Sequence, residues 1–366
     1  MTRTYTWPRL RALRQHLAAA QRPSQEEWQA LFEDWSALPQ TDRAYWQQDL
    51  AQEARSCCDQ HYGRGVFLRG LIEYSSYCEN DCYYCGLRRS NSQAQRYRLD
   101  SEEVLAAAQL AWDLGLRTIV LQGGENRRDD HVLPDLVAQL RARFPEMAIT
   151  LSLGEKSPEV YAQLRAAGAD RYLLRHETAL ESHYRRLHPE GMELQRRLDC
   201  LAELKRLGFQ TGAGFMVGSP GQSPYSLSLD FCLLGSLRPE MVGIGPFLPQ
   251  SQTPFAGEKA GSSLDCLFYL SLTRLLLPTA LIPSTTALAT ASADGRIRGL
   301  DAGANVIMPN FTPSQERKKY LLYDGKVNTG LESAEGLRAL EAQLLEAGYS
   351  VSMQRGDALG HGQNLL

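Results

Sequence analysis

The chain has 366 residues, of which 43% are hydrophobic and 22% are charged, and its formal net charge is −3. This length suits one large barrel domain or two ordinary domains, and the composition is that of a globular protein. Nothing in the charge balance indicates a nucleic-acid or membrane-surface partner. The apolar runs are too short to span a membrane, and the first ten residues lack the apolar stretch of a secretory signal. We therefore expect a cytoplasmic protein with no nucleic-acid and no membrane partner.

Residues 1–64 are predicted to form a helical extension. Trp28, Leu31 and Trp35 recur at helical spacing, and Ser24 with Glu27 has the pattern of a capping box at a helix start. Near residue 65 the pattern changes to short apolar segments separated by helical stretches.

This alternation continues to about residue 325 and predicts parallel strands joined by helical crossovers. Eight such units fit, which is the size of an α/β protein of the (β/α)8 TIM-barrel type, with a doubly wound open sheet as the alternative. Residues 326–366 are expected to add one helix, at 333–347, and a glycine-rich tail. The predicted strands cover residues 66–72, 118–121, 148–151, 171–174, 210–215, 241–244, 281–285 and 305–308.

Three cysteines follow the first predicted strand with the spacing C-x3-C-x2-C: Cys78, Cys82 and Cys85. With eight cysteines in the chain, this arrangement arises by composition alone in roughly 0.4% of cases. Tetrahedral zinc would require a fourth ligand, and no cysteine or histidine follows at the spacing of a zinc finger. Three thiolates suit a 4Fe–4S cluster that leaves one iron open. The loop would lie at the C-terminal end of a barrel strand, which is the catalytic face of such a barrel.

Several polar residues end other predicted strands. Gly123 and Gly124 end the second strand, where a backbone without side chains lets a ligand approach closely, and a simple turn is the alternative. Arg175 and Glu177 end the fourth strand, and residues two apart share one face of a strand, so both are predicted to point inward. Two inward charges must be paired or used for function, and a purely structural pair is the alternative. Arg197 begins the next helix, where a solvated surface charge is the alternative.

The later strands supply a second set of candidates. Thr285 and Thr286 are predicted to end the seventh strand and to offer hydroxyl groups to a polar substrate. Met241 and Met308 lie on strands six and eight, where core packing is the more common role of methionine. Tyr323 follows the last strand and could either pack or donate a hydrogen bond.

The cysteine spacing after a first strand is similar to that of the radical S-adenosylmethionine (SAM) superfamily. Within it, the chain resembles the family of the FeFe-hydrogenase maturase HydE, which is related to biotin synthase and methylornithine synthase. The resemblance covers about residues 65–325 and is carried by segments 84–89, 118–122, 151–155, 166–179, 211–214, 241–247 and 303–310.

The resemblance implies a closed (β/α)8 barrel with one 4Fe–4S cluster and SAM as cofactors. It assigns Cys78, Cys82 and Cys85 to the cluster. The residues it implies for SAM are Arg197 at the carboxylate, Glu177 at polar groups, Gln122, Gly123 and Gly124 on the amino-group side, and Tyr84 near the adenine. The residues it implies for the substrate are Arg175, Thr285, Thr286 and Tyr323, with Met241 and Met308 lining the cavity.

The resemblance further implies action on a small anionic or organometallic substrate, a cysteine-bound iron carbonyl–cyanide precursor of the dithiomethylamine-bridged di-iron subcluster. The implied partners are companion hydrogenase maturation proteins and a reductase, flavodoxin or ferredoxin as electron donor. Two departures stand out. Many members carry a second three-cysteine cluster after the barrel, whereas no cysteine follows Cys266 here, and Leu288 replaces a methionine of the family.

Two other functions remain open from the sequence. One is a radical mutase or sulfur-insertion enzyme like methylornithine synthase or biotin synthase, although sulfur insertion would require a second set of cysteines. The other is an iron–sulfur scaffold, which the predicted inward charges at residues 175 and 177 disfavour.

Overall fold

The computed structural model of the protein describes residues 7–327 and 330–361, except for the side chain of residue 332. Its helices are α1 (Pro8–Ala18), α2 (Gln25–Ala37), α3 (Gln40–Tyr62), α4 (Ser101–Asp113), α5 (Leu133–Arg143), α6 (Pro158–Ala166), α7 (Glu181–Leu187), α8 (Leu194–Arg206), α9 (Pro224–Leu237), α10 (Ser263–Leu276), α11 (Thr286–Ala291), α12 (Gly295–Asp301), α13 (Ser314–Arg317) and α14 (Leu337–Glu346). Its strands are β1 (Gly65–Leu68), β2 (Gly70–Ser75), β3 (Thr118–Gly123), β4 (Ala148–Ser152), β5 (Arg171–Leu173), β6 (Gln210–Ala213), β7 (Met216–Val217), β8 (Met241–Val242), β9 (Gly245–Pro246), β10 (Val306–Ile307) and β11 (Ser350–Ser352).

The N-terminal extension is helical, as predicted, from α1 to α3. The capping box forms at the start of α2, where Ser24 Oγ accepts from the Glu27 amide at 3.2 Å and the Ser24 amide donates to the Glu27 carboxylate at 2.7 Å. Trp35 then stacks on Phe268 of α10 with ring centroids 3.8 Å apart. The extension is therefore packed against the helices that surround the sheet. Residues 1–6 lie outside the described residues.

The central sheet is parallel and closes on itself. Six strands pair in the order β2-β3-β4-β5-β6-β8. Single bridges then connect Met241 with Leu281 and Pro283 with Val306, and β10 pairs with β1. Helices follow the strands on the outside, so the predicted (β/α)8 barrel is confirmed.

Four predicted strands differ from the structure. The first is interrupted at Arg69, so β1 pairs with β10 while β2 continues the six-stranded sheet. The seventh does not form a continuous strand, because residues 281–285 make only isolated bridges and then enter α11. The fifth and sixth each end early and resume as the short pair β7 and β9.

The C-terminal segment closes the lower end of the barrel, where the strands begin. Its helix is shorter than predicted, and the tail that follows adds β11 parallel to β1. Beyond β11, Asp357 forms an ion pair with the fully buried Arg171 at 2.7 Å, and the amide of Ala358 donates to Gln210 Oε1 at 2.9 Å. Residues 362–366 of the expected tail, and residues 328 and 329, lie outside the described residues. Among those described, no helix has both the length and the apolar character needed to cross a membrane.

Candidate active site

The cysteine loop leaves β2 at the upper end of the barrel, where the strands end. Cys78, Cys82 and Cys85 are all free and partly buried. Burial raises the pKa of each thiol, and the neighbouring thiols of Cys85 and Cys78 raise that of Cys82 further. The three sulfur atoms thus lie close enough to affect one another, and a cationic metal centre would stabilise their thiolate forms.

The donor set fits a cluster better than a single ion. Within residues 7–327 and 330–361, no group of three or more His, Cys, Asp or Glu side chains converges to hold one metal ion. Each cysteine of a 4Fe–4S cluster binds a different iron, so cluster ligands need not converge on one point. A tetrahedral zinc site would require that convergence.

Two polar contacts fix the shape of the cysteine loop. Asp81 accepts two hydrogen bonds from the Arg88 guanidinium, at 2.8 and 2.7 Å, and these hold the pKa of its carboxyl below the ordinary value. Arg96 donates to the carbonyls of Ser76 at 2.5 Å and Leu87 at 2.8 Å. No pattern in the sequence predicts these roles of Asp81 and Arg96, because they depend on how the loop folds back on itself.

The glycines after β3 lie against this loop. The Gly124 amide donates to the Ser75 carbonyl at 3.1 Å. A Cβ added at Gly124 would lie 2.7 Å from Cys78 Cβ and closer still to the Tyr77 carbonyl oxygen. The close approach that Gly124 allows is therefore that of the cysteine loop. The assignment of Gly123 and Gly124 to the amino-group side of SAM stays a prediction.

A row of buried charges continues from β3 to β5. The Glu155 amide donates to the Glu125 carboxylate at 2.7 Å, and burial raises the pKa of Glu125. The Glu155 carboxylate in turn accepts from Arg197 Nε at 2.6 Å and lies 3.0 Å from Arg196 Nε. Arg197 is buried, whereas the Arg196 side chain is half exposed. Glu155 was not among the predicted site residues, although its place just after a barrel strand is the position that such residues occupy.

Arg175 and Glu177 pair with each other at 2.8 Å, but not by sharing one face of a strand as predicted. The strand β5 ends at Leu173, and Glu177 has a left-handed backbone with φ of 65°. Such a conformation costs about 1–2 kcal/mol in a residue other than glycine. The Glu177 amide donates to the Gly214 carbonyl at 3.1 Å, and the Arg197 guanidinium donates to the Arg175 carbonyl at 2.8 Å.

His176, between these two charges, points the other way, toward α9. Its Nε2 lies 3.4 Å from Asp230 Oδ1, and both side chains are fully buried. The same carboxylate accepts from the Ala179 amide at 2.5 Å. Through these two contacts, Asp230 of α9 anchors the bend that contains Arg175 and Glu177.

The threonines and the tyrosine predicted for the substrate lie around α11. Thr285 caps the helix by accepting from the Leu288 amide, and Thr286 is its first residue, so neither ends a strand as predicted. Burial raises the pKa of Tyr323, and the side chain of Thr290 hydrogen-bonds to it. The Arg175 guanidinium acts on the same hydroxyl, which places Tyr323 within electrostatic reach of Arg175.

The two methionines occupy a separate apolar cluster inside the barrel. Met241 packs with Phe67, Leu281 and Val306, and Met308 lies against the same group. Arg69 Nη1 approaches Met241 Sδ at 3.2 Å. The structure therefore places Met241 and Met308 together, below the polar groups at the strand ends.

The remaining predicted residues contact the segment after the last strand or α7. Gln122 Nε2 donates to the Tyr320 hydroxyl at 3.4 Å. The Tyr84 hydroxyl lies 3.2 Å from His188 Nε2, and burial raises the pKa of Tyr84. Glu177 raises and Arg197 lowers the pKa of Tyr84, which indicates that the charges after β5 lie near the cysteine loop.

The comparisons with known proteins agree with this geometry. Residues 72–226 match the radical SAM superfamily. The chain is 47% identical over 280 residues to the FeFe hydrogenase maturase subunit HydE of Thermotoga maritima, covering 76% of this chain and 78% of that protein. It is 29% identical to 3-methylornithine synthase of Methanosarcina barkeri over 75% of this chain and 78% of that protein. The crystal structure of methylornithine synthase (PylB) superposes with a TM-score of 0.77 at 24% identity, covering 93% of this chain and 97% of that one.

The barrel and its cysteine loop thus define a radical SAM enzyme, whose cofactors are a 4Fe–4S cluster and SAM. Within that superfamily the chain belongs to the HydE family.

Proposed function

We propose that the protein acts in FeFe-hydrogenase maturation, with one 4Fe–4S cluster bound by Cys78, Cys82 and Cys85. The observation that carries the site assignment is a chain of contacts from the cysteine loop to the buried charges. The Glu79 amide of the loop donates to the Glu125 carbonyl at 2.7 Å, the Glu125 carboxylate accepts from the Glu155 amide at 2.7 Å, and the Glu155 carboxylate accepts from Arg197 Nε at 2.6 Å. The role in maturation is inferred from the HydE relative.

The cluster and SAM together supply a 5′-deoxyadenosyl radical. The chain's own residues bind and orient SAM: Arg197 holds its carboxylate, and Glu177 holds its polar groups. Gln122, Gly123 and Gly124 bound the amino-group side, and Tyr84 bounds the adenine. Glu155 fixes the direction of the Arg197 guanidinium through the bond at 2.6 Å. The buried surroundings strengthen each of these contacts, because little water competes for them.

The substrate proposed is a small anion of the iron carbonyl–cyanide type bound through cysteine. Arg175 supplies the cation, and its Nε is a buried donor without a hydrogen-bond partner among the described residues. Thr285, Thr286 and Tyr323 supply hydroxyl groups, and Met241 with Met308 forms a soft, polarisable wall. A buried donor of this kind favours an anionic ligand, because leaving it unpaired costs about 1–3 kcal/mol.

The deciding experiment is a cell-free maturation assay, in which hydrogenase activity is measured with this protein present or omitted and with the companion maturation proteins supplied. Activity should depend on the protein and be lost with Arg175→Ala. If omission made no difference while SAM was cleaved readily with amino-acid-like substrates, the maturase role would be wrong.

The second candidate is a radical mutase acting on a small amino-acid-like substrate. It is favoured by the 29% identity to 3-methylornithine synthase. Sulfur insertion like that of biotin synthase is less well supported, because the other five cysteines form no second motif. Rearranged amino-acid products after incubation with SAM and reductant would support the mutase.

A further inference from the structure

An exposed patch of arginines surrounds the outer edge of the cysteine loop. We define the arginine patch as Arg89, Arg98, Arg127 and Arg128, all of which are exposed. Tyr77, directly before the first cysteine, lies in the centre of the arginine patch and is 43% exposed.

Backbone contacts show that the patch is one continuous surface. The Arg89 amide donates to the Asn80 carbonyl at 2.8 Å, and the Glu79 amide donates to the Glu125 carbonyl at 2.7 Å. The Arg127 amide donates to Glu79 Oε1 at 3.2 Å. The patch therefore runs from Arg89 across the cysteine loop to the turn that follows β3.

Arg98 extends this surface on the other side of Tyr77. Its guanidinium lies 5.2 Å from the centre of the Tyr77 ring and forms an ion pair with Asp129 at 2.9 Å. An exposed aromatic ring between cations is a feature of protein contact surfaces.

The charges of the patch are mostly unbalanced. Among the described residues, the guanidinium groups of Arg89, Arg127 and Arg128 form no ion pair, in a chain whose net charge is −3. The nearby Asp81 is already paired with Arg88, and Asp130 is paired with Lys156 at 2.6 Å. The exposed Glu79 offsets one of the three guanidinium charges and leaves the other two in excess. The patch is thus a local positive surface on an acidic protein, and it attracts an acidic partner from a distance.

We infer that the arginine patch docks a small one-electron carrier protein with an acidic face. The carrier loses one electron and the cluster gains one, with no bond made or broken. This site suits that transfer because Cys78 directly follows the exposed Tyr77, so a redox group seated on the patch lies next to the loop that holds the cluster. The inference rests on the proposed assignment of the cluster to Cys78, Cys82 and Cys85.

The test compares two triple charge reversals that change the net charge equally. The patch variant is Arg89→Glu/Arg127→Glu/Arg128→Glu, and the control is Arg11→Glu/Arg22→Glu/Arg338→Glu, which alters exposed arginines on α1, the loop after it and α14. Reduction of the reconstituted cluster by a reduced flavodoxin or ferredoxin is followed by stopped-flow absorbance. At low salt the patch variant should be reduced about 10-fold or more slowly than wild type, and the control within about 2-fold. High salt should remove most of the difference.

A viologen radical cation serves as a second reductant, because a small cation needs no docking surface. It should reduce the cluster in all three proteins and support the same SAM cleavage. Arg127→Gln alone should give a smaller loss with the carrier in the same direction, which covers the case of a misfolded triple variant. Equal rates of carrier reduction in the patch variant and the control would overturn the docking surface alone. A wild-type protein that holds no cluster would overturn both the site assignment and the inference.

Discussion

Lys326 forms a buried ion pair with Glu73, 253 positions earlier in the chain. Glu73 lies on β2, and its side chain is completely buried, while that of Lys326 is 6% exposed. The same ammonium group donates to the Tyr320 carbonyl at 3.0 Å. The pair therefore ties the segment after the last strand to the first strand of the six-stranded sheet.

Removing one partner of this pair should destabilise the protein. Lys326→Met leaves the Glu73 carboxylate buried without its cation, and breaking a buried pair in this way costs about 3–5 kcal/mol. The double variant Glu73→Gln/Lys326→Met should recover part of that loss, because no unpaired charge remains. Urea unfolding measures both free energies. A single variant as stable as wild type would show that the pair does not form in solution.

The cysteine assignment predicts which substitutions remove iron. Cys78→Ala, Cys82→Ala and Cys85→Ala should each abolish the visible absorbance of the cluster and SAM cleavage together, because each thiolate binds one iron. Cys266→Ala is the matched control, since Cys266 is buried and lies outside the motif. The wild-type protein should hold about four irons after anaerobic reconstitution. Iron near eight, dependent on cysteines outside the motif, would contradict the single site.

Substitutions of Arg197 and of Arg175 should impair different properties of the enzyme. A charge-assisted bond to a carboxylate contributes about 1.5–3 kcal/mol, so Arg197→Ala should weaken SAM binding roughly 10- to 150-fold. Arg175→Ala should leave SAM affinity nearly unchanged and reduce substrate turnover. Arg196→Ala tests specificity, because Arg196 contacts the same Glu155 but is half exposed. Equal affinity losses in the Arg197 and Arg175 variants, measured by calorimetry, would refute the division.

The contact between Asp357 and Arg171 predicts an acid sensitivity. Burial alone would raise the pKa of Asp357, but its contacts with Arg171, Gln210 and Arg355 together outweigh burial and lower the pKa to about 2. A carboxyl with a lowered pKa stabilises the fold above its ordinary value near 3.8, and this contribution is lost as the pH falls toward 2. The loss of stability from about pH 5 to about pH 3 should therefore be smaller in Asp357→Asn than in wild type. Urea midpoints of the cluster-free protein at both pH values provide the measurement, with the exposed Asp294→Asn as control. Identical pH dependence in wild type and Asp357→Asn would contradict it.

The local signals in the sequence were sufficient for most elements. The capping box at Ser24 marks a helix start, and it forms. The apolar runs at 118–121 and 148–151 become neighbouring parallel strands. These features depend on residues a few positions apart, which is the range over which a sequence pattern is informative.

The features that the sequence could not reveal depend on distant parts of the chain. The segment Ser350–Ser352 is too short for its alternation of polar and apolar residues to be informative, and it becomes a strand because β1 offers it an edge to pair with. The left-handed backbone at Glu177 is imposed by contacts with Gly214 and Phe215. The pair between Glu73 and Lys326 joins two residues that no local pattern connects.

Gly124 offers the sharpest test of how the barrel holds its cysteine loop. Gly124→Ala would place a Cβ 2.7 Å from Cys78 Cβ and against the Tyr77 carbonyl, so the loop must move away from β3. The backbone there cannot yield easily, because the Gly124 amide is bonded to Ser75 and the Glu79 amide to Glu125. We expect the variant to fold, since the clash involves a loop and not the helix layer, but to retain less than half of the wild-type iron. Gly123→Ala is the matched control: its nearest contacts would be 3.2 Å to Leu153 and 3.3 Å to Ser75, which small shifts relieve. Iron content and circular dichroism of both variants separate loss of the cluster from loss of the fold. Full iron occupancy in Gly124→Ala would show that the loop tolerates displacement and that the glycine serves another purpose, such as the approach of SAM.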